Sequence, residues 1–164
     1  RNTARSSYGR PGRYNQQNRH SGAKTMKQLT PRLWIGNMGE FGDANLLLAN
    51  RIEIAVACSP SRVIPHTEDI HVINLPVWVG TNTAWYVRGL AKLLAGLYGT
   101  QVIGLFDEAG GLTRASFLIC CAAAEKFTTS FNIQYANLQA LFPPGESGPQ
   151  IPSVLLTRGR TLWP

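Results

Sequence analysis

The most restrictive feature of the sequence is an apolar strand pattern that passes through a glycine-containing loop directly into an apolar helix pattern. The strand pattern is Val102–Phe106, and the helix pattern, Arg114–Phe127, is apolar on nearly all sides. A strand that is apolar on both faces is typical of a parallel sheet covered by helices on its two sides. We therefore expect an α/β fold with a central, mostly parallel sheet and a buried central helix.

Strand and helix patterns alternate along the rest of the chain, as this fold class requires. The segment Ala84–Tyr98 is amphipathic, with apolar residues at intervals of three or four, and Gly99 is placed to end it. The other predicted strands are Leu33–Ile35, Ile54–Cys58 and Val72–Leu75, and the other predicted helices are Phe41–Ala49 and Asn132–Phe142.

Charge is distributed unevenly along the chain. The formal net charge is +7, but residues 1–32 hold eight basic side chains and no acidic one, since the first acidic residue is Glu40. Such asymmetry favours a nucleic acid or another acidic surface as partner. We predict that these residues bind RNA backbone: Arg1, Arg5, Arg10, Arg13, Arg19, Lys24, Lys27 and Arg32. An acidic protein surface stays open as the alternative partner.

Low apolar content at the N-terminus and prolines at the C-terminus set the expected domain boundaries. Residues 1–32 read as an extended basic arm, because little apolar burial offsets the entropy of ordering them. Residues 33–145 read as the globular domain, and residues 146–164 as a C-terminal tail that contains three prolines and the apolar groups Val154–Leu156 and Leu162–Trp163. The tail is predicted to be either a flexible end or a segment that docks on a neighbouring protein.

The segment from Asp107 to Ala115 carries a family resemblance. A strand that enters a loop and then a helix N-terminus creates an anion cradle of backbone N–H groups. The segment resembles the H-C-x-x-G-x-x-R-[S/T] loop of the dual-specificity phosphatases, with Gly111 and Arg114 in matching positions. Three further segments, Leu33–Asn37, Asn50–Val56 and Ile73–Val77, resemble family motifs in the same order.

The same resemblance implies that the catalytic groups are missing. Glu108 stands at the position of the nucleophilic cysteine, and Asp107 at that of the preceding histidine. Val79 stands closest to the general acid, and Ala115 replaces the hydroxyl residue after the arginine. Of the four catalytic parts only Arg114 remains. We therefore expect a pseudophosphatase that is not an enzyme, has no small-molecule substrate and needs no cofactor.

Two other uses of Glu108 are conceivable. A carboxylate nucleophile of the aspartyl-phosphate type is disfavoured because Ala109 stands where the second magnesium-binding Asp belongs. An internal ion pair between Glu108 and Arg114, which fills the anion site, is favoured over a working phosphate pocket. Trp78 and Trp85 flank the position of the acid loop and are predicted to pack rather than to recognise a ligand, with stacking on a base or binding of a partner as the alternative if they are exposed.

The remaining patterns restrict chemistry and location. The cysteines Cys58, Cys120 and Cys121 lack metal-ligand spacing with histidines and are predicted to be buried thiols without a metal. The longest apolar run, Phe117–Ala124, is too short to span a bilayer, so no membrane contact is expected. An acid-free, Arg- and Ser-containing N-terminus is also typical of mitochondrial targeting, with a cytoplasmic location as the alternative.

Together these patterns lead to two hypotheses about function. The first is a structural, RNA-associated component of a large ribonucleoprotein, such as a mitochondrial ribosome or its assembly intermediate, in contact with ribosomal RNA and neighbouring proteins. The second is a signalling pseudophosphatase that binds phosphorylated or regulatory proteins through the degenerate cleft. The basic N-terminal segment favours the first hypothesis, because a signalling adaptor does not need eight basic residues without an acidic one.

Overall fold

The computed structural model describes residues 26–59, 68–77, 83–108, 113–146 and 148–164. Five strands form one sheet, and helices cover both of its faces. The strands are β1 (Lys27–Thr30), β2 (Leu33–Asn37), β3 (Ile54–Ala57), β4 (His71–Asn74) and β5 (Ile103–Asp107). The helices are α1 (Met38–Phe41), α2 (Ala44–Ala49), α3 (Ala84–Leu97), α4 (Arg114–Phe127), α5 (Phe131–Ala140) and α6 (Ser153–Leu162).

The sheet has the strand order β1-β2-β5-β3-β4. Strand β5 lies at its centre and pairs in parallel with β2 and β3, while β4 pairs in parallel with β3. Only β1 among these strands is antiparallel, and it pairs with β2 at the sheet edge. The predicted α/β fold with a mostly parallel sheet is confirmed.

Alternate side chains of each strand enter two separate cores. On one face, Ile54 and Val56 of β3 pack with α3, α4, α5 and α6 in the larger core. On the other face, Ala55 and Ala57 pack beneath α1 and α2 in a smaller core. This alternation follows from the two-residue period of a strand. Helix α4 is buried along most of its length, as its apolar sequence predicts.

The predicted boundary at residue 32 is wrong for its last residues. Lys27–Thr30 form β1, and Leu29 is buried in the larger core. The physical reason is that β2 offers an unpaired edge to which the preceding residues can hydrogen-bond through a tight reversal of the chain. The sheet therefore includes residues that the charge pattern had assigned to the arm. Residues 1–25 lie outside the described part of the chain.

The prediction for the C-terminal tail is also wrong. Residues 153–162 form helix α6, which packs against the domain's own larger core through Leu155, Leu162 and the following Trp163. Gly159 makes the close approach possible, because a Cβ atom there would lie 2.5 Å from the ring of Phe131 in α5. The apolar residues of the tail therefore bury themselves within the domain, which offsets the entropy of ordering the segment.

Candidate functional site

The candidate site lies where β5 ends and α4 begins. Asp107 is the last residue of β5 and pairs with Asn37 of β2, so it stands at the carboxyl edge of the parallel strands. Crevices at this edge are the usual ligand sites of open α/β sheets. Helix α4 starts seven residues later, at Arg114. Residues 109–112, including the predicted loop residue Gly111, lie outside the described residues.

The carboxylate of Asp107 is fully buried and accepts hydrogen bonds from four groups. One oxygen accepts from the N–H of Glu108 at 2.8 Å. The other accepts from the Thr113 hydroxyl at 3.0 Å, from the N–H of Ala115 at 3.1 Å and from the N–H of Arg114. The carboxylate therefore occupies the positive N-terminal end of α4, where backbone N–H groups and the helix dipole favour an anion.

Burial of this carboxylate is energetically acceptable only because of these partners. Removing a carboxylate from water costs several kcal/mol, even after the protein relaxes. Hydrogen bonds to a charged group contribute roughly 1.5–3 kcal/mol each, and the Arg114 guanidinium adds a positive charge 3.6 Å away. Thr113, the residue before α4, makes no capping hydrogen bond with its own side chain. Asp107 thus caps the helix from the preceding strand.

The predicted ion pair between Glu108 and Arg114 is wrong. Arg114 pairs instead with Asp107, and its Nε donates to the carbonyl oxygen of Val77 at 2.6 Å. The carboxylate of Glu108 accepts a hydrogen bond from the hydroxyl of Ser59, which follows β3. Successive residues at the end of a strand point in opposite directions, so Asp107 and Glu108 cannot both face Arg114. The acidic residue that satisfies the arginine is the neighbour of the predicted one.

The other predicted loop positions are only partly described. Ala115 is fully buried and provides an N–H but no hydroxyl. Val79, the predicted position of the lost general acid, lies outside the described residues, as does Trp78. Trp85 lies on α3 with 77% of its surface exposed, so the prediction that it packs is wrong and the alternative for an exposed ring stays open. It touches Tyr86 edge-on, with the ring centroids 6.0 Å apart.

No cysteine offers a thiolate nucleophile. Cys58, Cys120 and Cys121 are all free and buried, which confirms the prediction of buried thiols. Burial raises the pKa of Cys58 well above its usual value, and the negative charge of Asp107 raises it further. Burial likewise raises the pKa of Cys120 to about 12. These thiols stay protonated at neutral pH, and a protonated thiol is a poor nucleophile.

The predicted RNA-binding residues divide into two groups. Lys27 and Arg32 are described, and both are engaged within the fold. Lys27 lies 3.5 Å from Glu146 and over the ring of Phe142, and Arg32 donates to the carbonyl oxygen of Thr100 at 2.7 Å. The other six residues fall outside the described part of the chain: Arg1, Arg5, Arg10, Arg13, Arg19 and Lys24.

The described residues were also compared with the requirements of a metal site and of a membrane-spanning helix. Among those residues, no three His, Cys, Asp or Glu side chains lie close enough to hold a metal. The same residues include no helix with the length and apolar character needed to cross a bilayer.

Comparison with known proteins assigns the fold. No family model and no curated protein sequence matches the chain. Human DUSP28 is similar in structure, with a TM-score of 0.66 and 11% identity over 84% of this chain and 92% of that one. A mouse putative dual specificity phosphatase is similar with a TM-score of 0.66 and 14% identity over 84% of this chain and 86% of that one. Human tyrosine phosphatase-like serine/threonine/tyrosine-interacting protein is similar with a TM-score of 0.62 and 13% identity over 83% of this chain and 93% of that one. The chain therefore has the dual-specificity phosphatase fold.

Sequence reasoning located the site but missed the role of Asp107. A carboxylate at the end of a strand is an ordinary exposed residue in most proteins. Only the buried position of Asp107, opposite the first N–H groups of α4, identifies it as the internal anion.

Proposed function

We propose that the protein is a non-catalytic dual-specificity phosphatase fold that serves as a structural, RNA-associated component of a large ribonucleoprotein. The observation that carries the non-catalytic part is the buried carboxylate of Asp107, which accepts the N–H groups of Arg114 and Ala115 at the start of α4. The Asp107 carboxylate thus accepts hydrogen bonds from backbone N–H groups that a phosphoryl group would need as donors.

A phosphate at the same donors would meet this carboxylate at close range. At a separation of about 4 Å and an effective dielectric constant near 20, each pair of unit charges repels by roughly 4 kcal/mol. That energy corresponds to about a thousandfold loss of affinity. The Arg114 guanidinium is engaged by Asp107 and Val77, and Glu108 is engaged by Ser59. These groups therefore include neither an unengaged guanidinium that could bind a phosphoryl group nor a nucleophile that could attack it.

The RNA-associated part of the proposal rests on the N-terminal segment. Residues 1–25 carry six basic side chains and no acidic one, and they precede β1 at the edge of the sheet. Arginines spaced irregularly among Gly, Ser, Asn and Gln suit an extended chain that follows phosphates. A mitochondrial ribosome or its assembly intermediate is the setting that we propose, with ribosomal RNA and neighbouring proteins as partners.

An activity assay tests the non-catalytic part. The purified full chain should release no phosphate from aryl phosphates above a protein-free blank. The Glu108→Cys variant should gain little, because Asp107 still holds the donors of α4. Robust turnover by the wild-type chain that is lost in the Arg114→Lys variant would contradict this part of the proposal.

RNA retention tests the second part. The structure fixes where the chain is cut, because deletion of residues 1–25 removes the basic segment and leaves β1 intact. We expect this deletion to abolish binding of single-stranded RNA at moderate salt, while circular dichroism shows unchanged helix content. A matched full-length control replaces the six basic residues with Gln, which removes charge without shortening the chain. Equal RNA binding by wild type and both variants would show that this segment is not the RNA-binding element.

A further inference from the structure

Charged side chains of the globular part separate onto the two faces of the sheet. Helices α3, α4, α5 and α6 cover one face. Apart from Arg114, which is paired with Asp107, these helices carry five basic residues and one acidic residue. The basic residues are Arg88, Lys92, Lys126, Arg158 and Arg160, and we call their surface the basic face. The acidic residue is Glu125, which accepts a hydrogen bond from the Trp163 indole at 3.2 Å.

The opposite side of the molecule has the reverse charge. Among the described residues, helices α1 and α2, the turn between them and the residues that lead into β3 and β4 carry five acidic residues and one basic residue, Arg51. The acidic residues are Glu40, Asp43, Glu53, Glu68 and Asp69. Residues 33–164 hold eight basic and nine acidic residues, and this near-neutral balance conceals a charge separation across the sheet among the described residues. Such a field orients the molecule towards a polyanion.

The outer surface of α3 is the most open part of the basic face. Trp85, Arg88 and Lys92 follow one another at intervals of three and four residues, so they lie on one side of the helix. A Cβ atom added at Gly89 or Gly96 on the same side would meet nothing within 4 Å. Among the described residues, Lys92 makes no hydrogen bond or ion pair. A large flat ligand can therefore approach this side closely.

Arg88 connects α3 to α6. Its Nη2 donates to the carbonyl oxygen of Leu162 at 2.9 Å, and its guanidinium lies 5.6 Å from the centre of the Trp163 ring. These contacts fix the guanidinium at the boundary of the two helices, while other N–H donors of the side chain remain for a ligand. On α6, the shallow groove beside Arg158 is lined by hydroxyls of Ser153, Thr157 and Thr161. Arginine and hydroxyl groups are common partners of phosphate oxygens.

The first described residues place their side chains on opposite sides of the sheet, because Met26 packs against the smaller core beneath α1 and α2 and Lys27 lies on the side of the larger core. Lys27, at the start of β1, lies over Phe142 and beside Glu146, both of which follow α5.

From these observations we propose that the basic face is a second contact surface for the same single-stranded RNA, with phosphates on Lys92, Arg88 and Arg160 and a base stacked on Trp85. This inference rests on the proposed function. RNA is favoured over an acidic protein because an exposed aromatic ring lies beside the cations. Stacking on aromatic side chains is the usual means of sequence-independent binding to unpaired bases.

The test uses the full chain and a fluorescein-labelled, mixed-sequence, single-stranded RNA of about 20 nucleotides, followed by fluorescence anisotropy. The affinity is measured between about 0.05 and 0.3 M KCl, because each lost phosphate contact lowers the salt slope by about 0.7. The variant Lys92→Gln/Arg160→Gln should lower the slope by about 1.4 and the affinity by about tenfold near 0.15 M salt. The matched control, Arg51→Gln on the acidic side, should change neither.

A third variant separates stacking from charge. Trp85→Ala should weaken RNA binding about five- to a hundredfold and leave the salt slope unchanged, since no cation is lost. Thermal unfolding of all variants should match the wild type, because the substituted side chains are exposed.

Each contrary outcome overturns a distinct statement. If Lys92→Gln/Arg160→Gln binds RNA as the wild type does while deletion of residues 1–25 abolishes binding, the basic face is not a contact surface and the proposed function stands. If the double variant loses affinity for polyglutamate but not for RNA, the face binds an acidic protein. If Arg51→Gln has the same effect as the double variant, net charge alone is responsible. A wild-type chain that does not bind RNA contradicts the proposed function itself.

Discussion

The start of α4 and the outer side of α3 show opposite solutions to the placement of polar groups. At the start of α4, every donor named here has a partner from the chain itself: Asp107 accepts from α4, and Arg114 is divided between Asp107 and Val77. On the outer side of α3, Lys92 and Trp85 face solvent and the glycines leave open space. The polar groups at the start of α4 are satisfied by the chain itself, while the outer side of α3 leaves polar and aromatic groups open to solvent. Among these two sites, the groups that are open to a ligand therefore lie on the outer side of α3.

The largest loss of stability is expected at the start of α4, where the polar groups are satisfied by the chain itself. Asp107→Ala removes the internal anion, which leaves the Arg114 charge and the first N–H groups of α4 partly buried without a partner. Loss of one member of a buried ion pair costs roughly 3–5 kcal/mol in the free energy of unfolding. Urea denaturation should show a lower midpoint with a similar slope. Glu108→Ala, at the exposed neighbouring residue, is the control and should cost below about 1 kcal/mol. Equal losses in the two variants would mean that Asp107 does not stabilise α4.

A smaller loss is expected where α6 meets α5. Gly159→Ala places a Cβ atom 2.5 Å from the Phe131 ring, so either the ring or the helix must move. Overpacking of this kind typically costs about 1–3 kcal/mol. Calorimetry should show a lower melting temperature. A variant that melts with the wild type would indicate that α6 does not need this close contact.

Glu40 tests a third situation, in which a carboxylate is satisfied only in part. It accepts the N–H of Asn37 at 2.9 Å, but burial raises its pKa from 4.5 to about 7. The folded state therefore binds the proton more tightly than the unfolded state, and stability should fall as the pH rises from about 4.5 through 7. Because Glu40 is partly exposed, solvent screening limits the effect to roughly 1 kcal/mol. Denaturant midpoints at several pH values measure it.

The control for Glu40 is Glu40→Gln, which keeps an oxygen that can accept the Asn37 N–H and removes the titrating group. Its stability should not fall over this pH range to the extent seen in the wild type. If the two proteins show the same pH dependence, another group is responsible.

The smallest change in stability is expected on the outer side of α3, and there it is a gain rather than a loss. Gly89→Ala and Gly96→Ala should each stabilise the protein by about 0.5–1 kcal/mol, because Gly is a poor helix former and the added Cβ meets no neighbour. Thermal unfolding measures the gain. A loss of stability in either variant would show that this side of α3 is not open.

The local sequence predicted more of the fold than of the site. Apolar runs such as Ile54–Cys58 and the apolar helix from Arg114 were enough to predict the parallel sheet and its buried central helix, because period and burial are properties of a few adjacent residues. The spacing of Gly111 and Arg114 located the site. Yet the motif led to the prediction that Arg114 pairs with Glu108, because a motif does not say which of two adjacent carboxylates points inward at the end of a strand.

Local sequence also failed to predict that β1 and α6, at the two ends of the globular part, belong to the fold. Charge and composition assigned Lys27 to an arm and Trp163 to a tail, since neither segment has an apolar face long enough to stand alone. In the folded protein, β1 completes the edge of β2, and α6 buries Leu155 and Trp163 against helices from distant parts of the chain. These segments gain order from surfaces that exist only after the rest of the domain has folded.

The sequence by itself therefore determined the fold class, the position of the loop between β5 and α4, and the basic character of the N-terminus, because each depends on residues close together in the chain. Tertiary structure alone decided that Asp107 is the internal anion, that Trp85 is exposed, and that acidic and basic residues separate across the sheet. Each of these depends on which side of an element a residue faces and on what lies opposite it. Burial and charge pairing act through space, between residues that the sequence places far apart.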